Sequence, residues 1–118
     1  MLTALLLAGC PSADPDGVLW EDVAPLFNAE CAGCHGGAEP EADLVIDGPD
    51  ALVGVQSAQT TDMPLVTAGD PLQSYVWHKL ENTQTVAGGS GSVMPQSGLL
   101  DAADIELVEA WIDAGARE

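Results

Sequence analysis

Positive charge is nearly missing from this chain. Lys79 and Arg117 stand against 19 acidic residues, and the formal net charge over 118 residues is -17. Phosphate recognition needs clusters of Lys and Arg, so nucleic acid is not an expected partner. Large rings are scarce too, with three Trp, one Tyr and one Phe. A chain this short buries roughly two-thirds of the surface its unfolded form exposes, so few aromatics leave room for another apolar body in the core. The three cysteines, Cys10, Cys31 and Cys34, are too few for a disulfide framework. The apolar stretch at the N-terminus, Leu2 to Gly9, is far shorter than the ~20 residues a membrane-spanning helix needs. The length suits one domain, and no internal repeat is visible.

The acidic excess has two readings. It can keep the protein soluble in a salty medium that screens its self-repulsion, or it can steer the protein toward partners with basic patches.

Leu7-Ala8-Gly9-Cys10 resembles the lipobox of bacterial lipoproteins. In that family the signal is cut before the cysteine, which becomes the lipidated first residue. The resemblance implies a signal at 1–9, a lipid anchor at Cys10 and a place on the periplasmic side of a bacterial cell envelope. Firm anchoring takes two or more acyl chains. Residues 10–18 form a flexible tether in which Pro, Ser, Asp and Gly dominate,. The folded domain is then expected over 19–118.

Within that domain the pattern is helical. Leu19 to Cys31 reads as a helix, with Val23, Leu26, Phe27 and Cys31 on one side. Asp22 is the expected cap, with Pro25 in the first turn. Residues 36–69 read mainly as loop, with a short helix from Asp50 to Val55. Asp70 and Pro71 open a second helix that ends near Glu81 or Asn82, placing Leu72, Tyr75, Val76 and Leu80 near one face. A Gly- and Ser-rich loop over 83–98 delivers Val93-Met94-Pro95. The last helix follows Asp101, with Asp104 closing a short-armed capping box. Its buried stripe is Ile105, Val108, Trp111 and Ile112, and Gly115 suits its C-terminal end. No segment argues for a sheet.

Cys31-Ala32-Gly33-Cys34-His35 carries the chemistry. C-x-x-C-H reads as a covalent haem attachment site. Two thiols can bond the haem vinyl groups, and the adjacent imidazole can reach the iron. Half of a zinc site and a redox dithiol are the alternatives. Zinc lacks an evident fourth ligand, since His78 is the one other histidine, and a dithiol lacks a βαβ frame. For the second axial position Met94 is the leading candidate: a thioether suits iron and raises the reduction potential. Met63, also before a proline, and His78 are its rivals. The helical position of His78 suggests a solvent-exposed residue. Met1 falls in the signal.

The chain resembles the small class I-type cytochromes c found in exported bacterial proteins. The resemblance rests on Asp22-Val23-Ala24-Pro25-Leu26-Phe27, Cys31-Ala32-Gly33-Cys34-His35-Gly36, Gly69-Asp70-Pro71 with Ser74-Tyr75, Met94-Pro95, Ile105, Ala110-Trp111-Ile112 and Ala114-Gly115-Ala116. It implies an all-α fold of three main helices and long loops around one covalently attached haem c, with the first and last helices packed together. It further implies His35 as proximal and Met94 as distal ligand, and one haem per chain. The expected function is electron transfer to redox protein partners. The alternatives are a haem enzyme or sensor for peroxide or small gases, and a binding subunit stapled by its haem.

Overall fold

In the computed structural model the described residues are 17–36, 41, 44–60, 62–95 and 98–118. The expected signal, Cys10 and most of the tether lie outside them. No helix among the described residues is long and apolar enough to cross a membrane. The fold is all-α. Helix α1 spans Trp20–Glu30, α2 spans Tyr75–Glu81 and α3 spans Ala102–Asp113, with single 3-10 turns at Pro49–Ala51 and Pro71–Gln73. Strand-like pairing among the described residues is limited to two isolated bridges, Val53 with Val66 and Gln56 with Pro64.

Helix α1 starts earlier than its proline suggests. The Asp22 carboxylate accepts from the Leu19 N–H at 2.8 Å, and the Trp20 N–H donates to the Arg117 carbonyl at 2.8 Å. Asp22 therefore caps from the third helical position, and Pro25 lies inside the helix. Pro25 removes a donor from the ladder. Both Glu21 and Pro25 are exposed, so the Glu21 carbonyl deprived of that donor is open to water.

The first and last helices meet through aromatic rings. Trp20 stacks on Phe27 at 5.3 Å between centroids and leans on Trp111 at 5.4 Å. Phe27 meets Trp111 edge-on at 6.1 Å. Such pairs contribute about 0.5–1.5 kcal/mol each beyond their burial. Ile105, Val108, Trp111 and Ile112 are all buried, as the helical spacing predicts. The expected capping box of α3 does not form, because the Asp101 side chain makes no capping bond. The Asp104 N–H is already taken by the Asp101 carbonyl, at 3.0 Å.

The middle of the chain departs most from expectation. The short helix from Asp50 to Val55 shrinks to the turn Pro49–Ala51. Gly54, at φ +74°, ends it in a left-handed conformation that favours glycine,. Leu52 and Val66, both fully buried, bring the chain back on itself. The second helix is broken as well. Ser74 is extended, with φ -118° and ψ 111°. Its hydroxyl accepts from the Thr67 N–H at 2.8 Å and donates to the Asp70 carbonyl at 2.8 Å. Beyond the break, the first N–H groups of α2 find acceptors in the neighbouring loop. Tyr75 donates to the Pro64 carbonyl at 3.0 Å and Val76 to the Leu65 carbonyl at 2.9 Å. A helix start must satisfy such orphan donors; here tertiary contact does it. Leu72, stranded ahead of the break, is 63% exposed rather than part of the buried face.

Candidate haem site

The C-x-x-C-H run sits where α1 unwinds. The His35 N–H donates to the Cys31 carbonyl at 2.8 Å and the Cys34 N–H to the same carbonyl at 3.2 Å, so the five residues close into a tight turn. Gly36 is required there: a Cβ at this position would lie 2.8 Å from the Ala32 carbonyl oxygen. The Ile46 N–H then donates to the His35 carbonyl at 2.8 Å and the Glu41 N–H to the Cys34 carbonyl at 2.8 Å. The returning loop thus straps the turn.

This turn forms one side of an open-mouthed cleft that is continuous with solvent. Phe27 lines it from α1, Cys31 and His35 from the turn, and Leu44 and Ile46 from the returning loop. Tyr75, Val76, Lys79 and Leu80 line it from α2. The exposed Cys34 thiol stands outside the lining, and both thiols are free. Burial pushes the Cys31 thiol up to about 11, with the charges of Glu30 and Cys34 adding to the effect. Among the described residues no group of three or more His, Cys, Asp and Glu side chains converges to hold a metal ion.

The imidazole of His35 is already oriented. Its Nδ1 lies 3.1 Å from the Glu41 carbonyl oxygen. A carbonyl oxygen can only accept a hydrogen bond, so Nδ1 is the donor, and in that neutral tautomer the lone pair lies on Nε2,. Metal-ligating histidines are commonly fixed by such a bond. Glu41 acts through its backbone and left no signal in the sequence.

Met94 lines the same cleft. It arrives there because the loop after α2 folds back over the helix. Asn82, in a left-handed conformation at φ 64°, ends α2. The Gln84 side chain donates to the Gly91 carbonyl at 3.0 Å, and the Met94 N–H donates to the Lys79 carbonyl at 2.9 Å. Gly89 passes so close to Tyr75 that a Cβ there would overlap the phenol ring.

The two rivals of Met94 are placed elsewhere. Met63 is buried but not part of the cleft lining. His78 is not the exposed residue expected: it is 9% exposed. Its Nδ1 is 2.7 Å from the Thr83 hydroxyl and its Nε2 is 2.8 Å from the Leu72 carbonyl. Both ring nitrogens are occupied in bracing the ends of α2, which leaves no lone pair for iron.

The cleft therefore fits a haem on two counts: its largely apolar walls, and an imidazole, a thioether and the Cys31 thiol on one lining. Residues that sequence reasoning passed over also face it, notably Gln59 and Lys79. The signal for Lys79 was present. It lies four residues after Tyr75 on a helix, so the chain's sole lysine shares the face of Tyr75, Val76 and Leu80.

No curated protein matches the chain and no solved structure matches it. The family described as Planctomycete cytochrome C matches residues 31–98, from the first cysteine of C-x-x-C-H to just beyond Met94-Pro95. That span is more than half of the chain. A c-type haem and electron transfer by it are the family's coarse signature, and the chain belongs to the Planctomycete cytochrome C family.

Proposed function

We propose that this protein is a monohaem electron carrier with His35 and Met94 as axial ligands. The observation that carries this reading is the shared cleft of Cys31, His35 and Met94, with His35 Nε2 left free by the bond from Nδ1 to Glu41. The haem, when bound, supplies a one-electron iron couple. Cys31 and Cys34 would hold it through thioether bonds. His35 through Nε2, and Met94 through the sulfur carried on the folded-back loop, would ligate the iron. The apolar walls from α1 and α2 would lower the polarity around the iron, which favours a raised potential. With both axial positions filled by the chain, no site would remain for peroxide or a small gas. This favours transfer over the enzyme and sensor readings.

The charge of -17 suits weak, steered encounters with proteins that carry basic patches. Such partners must also leave quickly. Leu7-Ala8-Gly9-Cys10 supports a lipid anchor at Cys10, and hence a carrier tethered to the periplasmic side of a bacterial membrane.

Stopped-flow mixing of the reduced holoprotein with carbon monoxide, and of the oxidised form with a basic redox protein, tests the reading. Fast electron exchange with slow or absent carbon monoxide binding is expected. Rapid carbon monoxide binding would contradict it and favour a sensor or enzyme.

A further inference from the structure

Apart from His35, the polar side chains on the cleft lining gather around Gln59, Tyr75 and Lys79. Lys79, from the second half of α2, is 8% exposed. Its ammonium donates to Gln59 Oε1 at 2.8 Å and to the Ser90 carbonyl at 3.2 Å. Tyr75 completes the cluster: its hydroxyl donates to the same Gln59 oxygen at 2.7 Å and accepts from the Ser90 N–H at 3.1 Å.

Two features of this cluster are unsettled by the chain itself. The first is charge. Lys79 is one of two basic side chains set against 19 acidic ones, yet every acceptor it meets among the described residues is neutral. A buried cation is costly unless a counter-charge accompanies it. Burial accordingly pushes its pKa below the usual lysine range. The second is donors. An ammonium has three N–H groups, and two are spent. The amide nitrogen of Gln59, also on the cleft lining, donates to no described acceptor. The cleft thus holds one positive charge and two spare donors side by side, on walls that are largely apolar. A carboxylate, with one negative charge and two acceptor oxygens, matches that set.

We propose that Lys79 and Gln59 form a carboxylate-binding site for a propionate of the haem. The proposal rests on the haem reading above. A haem carries its two propionates on the edge opposite its vinyl groups. Thioethers at Cys31 and Cys34 therefore turn the acidic edge away from the C-x-x-C-H turn. Lys79 supplies the counter-charge, Gln59 the second hydrogen bond, and Tyr75 with Ser90 holds both in place. Lys79 is then a positioning residue that also tunes the iron, because a cation beside a propionate disfavours the oxidised, more positive state.

The test uses the full-length holoprotein and its Lys79→Met, Lys79→Arg and Gln59→Glu variants. Each is first checked by mass for thioether-bound haem and by spectrum for axial ligation. Failure of wild type at that step refutes the haem reading itself, separately from the propionate site. The readouts are the propionate bending band in resonance Raman spectra and the midpoint potential. Lys79→Met is expected to shift the band and lower the potential, and Lys79→Arg to restore most of both. Gln59→Glu keeps an acceptor for Lys79 and Tyr75 but sets a negative charge against the propionate, so it is expected to shift the band even if Lys79→Met does not fold. An unchanged band in Gln59→Glu, or in a folded Lys79→Met, would overturn the proposal. So would a wild-type holoprotein in which Lys79 pairs with a carboxylate of the chain.

Discussion

Ser74 and Leu72 give opposite answers depending on whether the second helix is continuous or broken. In a helix running unbroken from Pro71, Leu72 would lie on the buried face, and Leu72→Ala would cost about 2–5 kcal/mol. Ser74→Ala would then be neutral or slightly favourable, by about 0.5 kcal/mol, since Ala is the better helix former. The structure reverses both. Leu72 is 63% exposed, so its truncation should stay within about 0.5 kcal/mol. The Ser74 hydroxyl is fully buried and joins the Thr67 N–H to the Asp70 carbonyl. Its removal strands the Thr67 N–H, while the Asp70 carbonyl keeps the Gln73 N–H at 3.1 Å; one such unsatisfied group costs about 1–3 kcal/mol where buried. Taking about 2 kcal/mol, a domain of this size should lose about 8–10 °C in Tm. Thermal unfolding of the holoprotein, followed by far-ultraviolet circular dichroism, is the assay. The haem bands should report the same transition, because α2 supplies one wall of the cleft. A destabilised Leu72→Ala beside an unaffected Ser74→Ala would refute the reasoning.

Three further outcomes are expected. Met94→Ala should lower the reduction potential and open the iron to carbon monoxide, read by voltammetry and by spectral titration; an unchanged spectrum would point to Met63. Gly36→Ala should sharply lower the yield of thioether-bound haem, measured by mass, because its Cβ would press on the Ala32 carbonyl. Electron exchange with a basic partner should slow steeply as ionic strength rises, because screening shortens the reach of the charge of -17,; a rate independent of salt would count against steering.

The parts of this fold written in local pattern were legible in the sequence. Helices α1 and α3 announced themselves by apolar spacing, and their inner faces are the residues that spacing selects. The turn at C-x-x-C-H needs only five consecutive residues, and Met94, singled out by the proline and glycine-rich loop that flank it, lies on the same cleft lining. What escaped depends on chain that comes from elsewhere. Nothing near Ser74 says that the loop at 64–67 will supply the acceptors for α2. His78 was misplaced for a related reason: its partners, the Leu72 carbonyl and the Thr83 hydroxyl, flank α2 only because the helix is short. The polar cluster on Lys79 joins residues twenty positions apart, a distance over which periodicity carries no information. Asp22 capped its helix as its chemistry suggests, but three residues further in, because the start of α1 is tied to the C-terminus through Arg117.

The central claim is a porphyrin bonded to Cys31 and Cys34 with its iron between His35 and Met94. Spectra of the protein purified from its native host in both redox states, followed by its mass after denaturation, test this most directly. The account predicts low-spin, six-coordinate iron with the absorption signature of methionine ligation, and one haem that stays on the unfolded chain. Haem that washes off on denaturation, or free thiols at both cysteines in the mature protein, would contradict it.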